Sequence, residues 1–158
     1  MTGARRAAGR AFRRLAAALA VLLAPPAHAQ IFTDVTASAG ISHVYSTPQI
    51  TDGMPGAHFL GGGVAAADFD GEGLTDLFFT RLGDVDIVYR NLGNGAFQPQ
   101  TAAAGFTLAT NTNGVVSGDV DNDGDQDLYV TETADGTRNY LYLNNGAGVF
   151  ADAGPSRT

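Results

Sequence analysis

The fold is decided by residues 64–80, which read VAAADFDGEGLTDLFFT. The same pattern returns 51 residues later, at 115–131, as VVSGDVDNDGDQDLYVT. A second block follows each copy, YRNLGNGAF at 89–97 and YLNNGAGVF at 142–150, at an offset of 53 residues. A period in this range is typical of repeat architectures, in which one supersecondary unit stacks on the next. The chain therefore contains two copies of one unit.

The apolar stretches within each unit are short and are separated by Gly, Asn and Asp, which favours strands joined by tight turns. The run at 64–67 has helical propensity when taken alone, but its repeat partner at 115–118 does not. Small residues in this strand, and Gly61-Gly62-Gly63 before it, suit the crowded centre of a radial array. The sequence predicts an all-β fold of two four-stranded antiparallel β-propeller blades, with strands at 63–69, 76–81, 86–91 and 95–99, and at 114–120, 127–132, 138–144 and 148–152.

A shorter echo links FTDVTASAG at 32–40 to FQPQTAAAG at 97–105. The first copy matches the end of a blade, although no blade precedes it. Because a propeller needs about four to eight blades to close, we expect the chain to be the N-terminal part of a longer propeller. Residues 30–158 are expected to be poorly soluble or to self-associate when they are expressed alone. The predicted divisions are a signal peptide at 1–29, an N-terminal strand and connecting segment at 30–60, and blades at 61–105 and 106–158.

The chemistry is predicted between the first two strands of each blade. Both loops place acidic residues at positions 1, 3, 5 and 9 and a Gly at position 6, and position 7 would contribute a backbone carbonyl. Calcium takes six to eight oxygen ligands from such a loop, whereas magnesium prefers a stricter octahedron that keeps several waters. An EF-hand is excluded because position 12 is Phe79 or Val130 instead of Glu. The sequence predicts two calcium sites, formed by Asp68, Asp70, Glu72, Leu74 and Asp76, and by Asp119, Asp121, Asp123, Asp125 and Asp127.

These blocks resemble the FG-GAP repeat of the VCBS type, the calcium-loop blade also found in the propeller of integrin α subunits. The opening residues 32–41 and the later Gly-Gly-Gly-Val resemble the start of the ASPIC/UnbV group, which is related to cartilage acidic protein. The resemblance covers roughly residues 31–152 and implies a seven-bladed propeller used for adhesion or recognition outside the cytoplasm. The sequence departs from that group because it has two complete blades and lacks the region that gives the group its name.

The N-terminal segment has the features of a secretory signal peptide, with cleavage expected before Gln30. Five of the nine Arg lie in the first 14 residues, and the apolar run at 15–24 is about half of what a bilayer span needs. Export by the general or by the twin-arginine route stays open. We expect a secreted, periplasmic or cell-surface protein with no stable membrane span after cleavage.

The residues after position 29 carry 16 acidic groups against four Arg, a formal charge of −12, which makes nucleic acid an improbable partner. There is no Cys, so disulfide scaffolds and thiolate sites are excluded. His43 and His58 stand in no zinc or triad spacing, and no nucleophile motif is present. We expect a non-catalytic module that binds a protein or glycan through its propeller surface. The alternative is the non-catalytic propeller portion of a larger secreted enzyme acting on polysaccharide or another polymer.

Overall fold

The structure, a computed structural model, describes residues 32–44, 61–133 and 138–154. The predicted signal peptide, its cleavage site and His58 lie outside the described residues. All described strands belong to the compact unit Val35–Thr158. Residues 32–44 contain a turn at 36–40 and no strand, so the strand predicted for the segment 30–60 is not found in them.

The described residues form nine strands and no α-helix. Antiparallel pairing joins them into two sheets, one in the order β1-β2-β4-β5 and one in the order β3-β6-β7-β8-β9. The prediction of an all-β fold with two antiparallel propeller-type blades is confirmed. The strands are β1 Val64–Ala67, β2 Asp76–Phe79, β3 Leu82–Asp84, β4 Ile87–Asn91, β5 Phe97–Pro99, β6 Thr110–Gly118, β7 Asp127–Glu132, β8 Tyr140–Asn144 and β9 Phe150–Asp152.

The sequence missed β3 and the early start of β6. The second strand was predicted to reach residue 81, but β2 ends at Phe79, and Leu82–Asp84 then pair with Thr110 and Asn111 of the second sheet. The change of direction is held by Thr80, whose hydroxyl accepts the N–H of Gly63 at 2.6 Å and lies 3.2 Å from the carbonyl oxygen of Asn113. One short segment of the first repeat thus becomes the edge strand of the second blade.

The core lies between the two sheets. Ala65, Phe78 and Val88 form one cross-strand row of the first blade, and all three are buried. The opposing sheet contributes Leu128, Val130 and Phe150, which belong to the same cluster. Close-packed apolar contact of this kind is the main source of stability in such a fold.

The corresponding row of the second blade is open. Val116 and Tyr129 occupy the repeat-equivalent positions of Ala65 and Phe78, and their exposed fractions are 60% and 43% instead of 5% and 0%. Within the part of the chain that the structure describes, the row is not covered.

The first strands of the two blades approach closely. A Cβ on Gly63 would lie 2.9 Å from the carbonyl oxygen of Asn113 and from the nitrogen of Val115. Gly63 is therefore a point of tight backbone approach, since any side chain there would push the strands apart, whereas a Cβ on Gly61 would meet nothing within 4 Å.

A repeated turn joins each unit to the outer strand of a blade. The N–H of Phe97 donates to the carbonyl of Ala39 at 2.8 Å, and the N–H of Phe150 donates to the carbonyl of Ala104 at 2.9 Å. The echo between 32–40 and 97–105 is therefore a structural repeat as well as a sequence repeat. After each Ala comes a Gly with positive φ, and a Cβ on Gly105 would lie 2.5 Å from the carbonyl oxygen of Phe150.

Gly105→Ala is therefore expected to lower the free energy of unfolding by at least about 2 kcal/mol, because the methyl group meets backbone and the φ of +98° is unfavourable for an L residue. Gly61→Ala is the control, since a Cβ there meets nothing within 4 Å and no positive φ opposes it. Urea denaturation of the full chain measures both variants. Equal stability of the two would show that the docked turn does not hold the blades together.

A buried carboxylate supports the crossing between the sheets. Asp86 is 2% exposed, accepts the N–H of Arg81 at 2.8 Å and accepts the hydroxyl of Thr112. Burial raises the pKa of Asp86 to about 6, the two hydrogen bonds oppose that rise, and the nearby Glu132 adds to it.

Because the folded-state pKa of Asp86 exceeds the unfolded value, this group favours folding at low pH, and its contribution falls as the pH rises from about 4 to above 6. Asp86→Asn keeps an acceptor but removes the titration. The unfolding free energy of the variant, relative to wild type, is expected to increase by about 3 kcal/mol between pH 4 and pH 8. Urea denaturation across this range tests it, and parallel pH profiles for the two proteins would contradict it.

Candidate metal centres

The first acidic loop connects β1 to β2 and is folded around Asp68. One carboxylate oxygen of Asp68 accepts the N–H of Gly71 at 2.9 Å and that of Glu72 at 3.2 Å, and the other accepts the N–H of Gly73 at 2.7 Å. Gly71 and Gly73 both have positive φ, which allows the chain to curl back over this carboxylate.

The second loop, between β6 and β7, repeats this geometry. Asp119 accepts the N–H of Asp123 at 3.1 Å and of Gly124 at 3.1 Å, through different oxygens. Both loops are hairpin connections between antiparallel strands, which agrees with the exclusion of an EF-hand.

The last acidic residue of each loop is buried at the start of a strand. Asp76 is 3% exposed and Asp127 is 0% exposed. The Oδ2 of Asp76 accepts the N–H of Phe69 at 3.0 Å, and its Oδ1 accepts the N–H of Asn91 at 2.8 Å. Asp127 makes the same pair of contacts with Val120 and Asn144, both at 2.9 Å. Each carboxylate thus ties the beginning of its loop to a neighbouring strand, β4 in the first blade and β8 in the second.

Three carboxylates converge in each loop. Single oxygens of Asp68, Asp70 and Asp76 all lie within 4.8 Å of one another. The equivalent residues Asp119, Asp121 and Asp127 form a second group by the same criterion. Positions 1, 3 and 9 of both predicted sites are therefore brought together.

Both groups fit calcium by distance and by donor type. Calcium binds oxygen at about 2.3–2.6 Å, so two of its ligands can lie up to about 5 Å apart. A carboxylate oxygen that accepts one N–H retains a second lone pair for a cation. The hydrogen bonds at Asp76 and Asp127 are thus compatible with metal ligation.

Glu72 and Asp123, at position 5, are outside the two groups. Asp123 instead accepts the N–H of Asp125 at 2.9 Å. The carbonyl ligands assigned to Leu74 and Asp125 stay predictions. Completing either calcium shell requires further oxygen ligands, from position 5, from position 7 or from water.

The crowded charges repel one another. Burial raises the pKa of Asp76, and the charges of Asp70 and Asp68 add to the rise against two opposing backbone hydrogen bonds. Partial desolvation and the neighbouring Asp123 raise the pKa of Asp121. A bound cation would relieve this repulsion in both loops.

One cation of the protein reaches the first loop. The Nε of Arg90 donates to Oδ2 of Asp70 at 2.6 Å, and the guanidinium also pairs with Glu72. Of the ion pairs formed among the described residues, none involves the second loop.

Two asparagines recur in the repeated blocks, Asn91 and Asn144, and the sequence did not reveal that their side chains hold the loops in place. The side chain of Asn91 accepts the N–H of Gly93 at 2.9 Å and donates to the carbonyl of Thr75 at 2.9 Å. Asn144 donates to Gln126 at 3.1 Å and, across the blades, to the carbonyl of Phe69 at 2.8 Å. The signal that could have revealed this role was their recurrence at the ends of the equivalent predicted strands 86–91 and 138–144.

The other predicted features have simpler surroundings. His43 stacks on Phe79 with ring centroids 4.6 Å apart, and burial together with the charge of Arg81 lowers its pKa. The recurring aromatic residues Tyr142 and Phe150 pack against Phe106. The described residues include no helix of the length and apolarity that a membrane span requires.

The fold and the loops define a β-propeller-type repeat module with two acidic hairpin loops in equivalent positions. Residues 68–130 match the family model of the FG-GAP-like repeat, from the first aspartate of one loop to the strand that follows the other. The FG-GAP part of the resemblance is thereby supported, and the ASPIC/UnbV part stays a hypothesis. No curated protein matches the chain at a significant level of similarity.

The buried and exposed aspartates of the second loop are expected to differ when metal is absent. Asp127→Ala leaves the N–H groups of Val120 and Asn144 without their acceptor, and is expected to cost about 2–4 kcal/mol of unfolding free energy. Asp121→Ala, at an exposed position, is expected to change it by less than about 0.5 kcal/mol. Urea denaturation in EDTA compares them. A loss as large for Asp121→Ala would contradict a purely metal-binding role for that residue.

Proposed function

We propose that this chain is a secreted calcium-binding β-propeller repeat module that serves adhesion or macromolecular recognition and has no catalytic activity of its own. The observation that carries the proposal is the duplicated convergence of carboxylates at positions 1, 3 and 9 of the two hairpin loops. Acidic surface turns are common without a metal. Two turns with the same spacing, the same backbone hydrogen bonds and the same buried final aspartate are better explained if each binds the same kind of metal ion.

The role of calcium is structural in this proposal. Each ion would be held by Asp68, Asp70 and Asp76, or by Asp119, Asp121 and Asp127, with further oxygens from positions 5 and 7. When bound, calcium neutralises the acidic loop and fixes the hairpin that carries it. Extracellular modules bind calcium with dissociation constants of about 10⁻⁴–10⁻³ M, which suits the secreted location proposed from the N-terminal sequence.

A recognition role is supported by the arrangement of the blades. The loops and turns that connect propeller strands present side chains on rigid sheets, which is the usual place for binding surfaces. A protein or a glycan is the partner class proposed for this surface. The alternative, a propeller that accompanies a catalytic domain of a secreted enzyme, makes the same calcium prediction and differs only in the neighbouring domain.

Isothermal titration calorimetry of the full chain with calcium is expected to show two sites. The second loop is expected to be the tighter one, because the extra methylene of Glu72 displaces the position 5 oxygen of the first. Asp121→Ala removes a ligand of the second loop only, so it is expected to abolish one site and leave the other.

The matched variant Asp70→Ala is expected to abolish calcium binding at the first loop and to leave the second loop unchanged. A chain that keeps the same circular dichroism spectrum with calcium and with EDTA, and gives no binding heat, would overturn the proposed function.

A further inference from the structure

The first loop differs from the second in having a cation from its own blade. Arg90 lies on β4, is partly exposed, and directs its guanidinium towards positions 3 and 5 of the loop. The carboxylate of Asp70, which it contacts at 2.6 Å, is one of the three that converge. The guanidinium therefore uses the same carboxylate that a metal ion would use.

The repeat supplies the comparison. Arg90 stands between Tyr89 and Asn91, and the equivalent residue between Tyr142 and Asn144 is Leu143. Leu143 pairs with Ala151 on β9 as Arg90 pairs with Gln98 on β5, so the two side chains occupy the same register position. The two loops therefore differ in whether a positively charged side chain lies beside them, and one residue position, Arg90 or Leu143, makes the difference.

A divalent ion and a guanidinium on one carboxylate repel each other. Calcium would lie about 2.3–2.6 Å from its ligand oxygen, close to the Arg90 Nε that now donates to Asp70. The like charges at such a separation are unfavourable, even with partial solvent screening. Calcium binding at the first loop is therefore weakened for as long as the guanidinium stays on Asp70.

The structure provides space for the displaced side chain. A cleft of about 330 Å³ adjoins the loop, and its lining includes Arg90, Gln100, Ala103 and Val149. Its far wall is the β8–β9 turn of the second blade, where a Cβ on Gly148 would lie 3.4 Å from Cβ of Asp70. Arg90 already lines this cleft, and so do Asp70, Glu72 and Asp76, so a displaced guanidinium has open space beside the loop carboxylates.

We propose that Arg90 is an internal cation that competes with calcium for the first loop, so that the first loop fills only after the second and its filling releases Arg90 into the cleft between the blades. This inference rests on the proposed calcium function and concerns the regulation of one of its two sites. It assigns Arg90, in addition to Glu72, a part in the difference in calcium affinity between two loops of equal spacing.

Calorimetry on the full chain tests the competition one loop at a time. In an Asp121→Ala background, which isolates the first loop, Arg90→Gln is expected to tighten calcium binding by up to about fivefold, the range set by partly exposed ion pairs. Arg90→Lys keeps the positive charge and is expected to tighten it less. In an Asp70→Ala background, Leu143→Arg is expected to weaken the second loop by a similar factor, and Leu143→Gln controls for the lost apolar side chain.

A second readout does not depend on the variants. The Nε–H of Arg90 is expected to give a protected resonance in the nuclear magnetic resonance spectrum of the metal-free chain, and saturating calcium is expected to remove that protection. A matched sodium chloride addition separates the effect of calcium from that of ionic strength.

The outcomes distinguish the two proposals. If wild type binds calcium at two sites and Arg90→Gln leaves the first-loop affinity unchanged, or if the Arg90 resonance is unaltered at saturation, the competition is wrong and the calcium function stands. If no protein in the series binds calcium, the proposed function fails and the competition fails with it.

Discussion

The rest of the structure depends on one buried interaction, the aspartate that ends each acidic loop and accepts two backbone N–H groups. Asp76 and Asp127 each accept an N–H from the start of the loop with one oxygen. The other oxygen accepts an N–H from the neighbouring strand, β4 or β8. A buried carboxylate is stable only when its hydrogen bonds are satisfied. These aspartates therefore fix the hairpin, the neighbouring strand and the position of the carboxylates in one step, so that fold and site share the same residues.

The two blades are joined by contacts that also start at these loops. Asn144 extends the network of Asp127 to the carbonyl of Phe69 in the first loop, and β3 carries a segment of the first repeat into the second sheet. The buried Asp86 and Thr112 secure that crossing. Hydrogen bonds therefore connect the two blades both at the loops and at the crossing strand.

The fold and the loop positions could be predicted because they repeat. The pattern at 64–80 and its copy decided that 64–67 is a strand, and the spacing of acids placed positions 1, 3 and 9 together. β3 could not be predicted in this way, because Leu82–Asp84 belong to the part of the units where the offset changes and their partners are Thr110 and Asn111. Arg90 was quoted within a repeated block, but its ion pair depends on β4 lying beside the loop, a tertiary relation that local spacing does not contain. Asn144 reaches Phe69 across 75 residues, for the same reason.

A calcium titration of the full chain, followed residue by residue in ¹H–¹⁵N correlation spectra, tests the central claim most directly. The account predicts saturable shifts that centre on the amides of 68–76 and 119–127 and extend to the N–H groups of Asn91 and Asn144, because these donate to the buried aspartates. Shifts that spread over all surface acids without saturation, or that leave Asn91 and Asn144 unchanged, would contradict it.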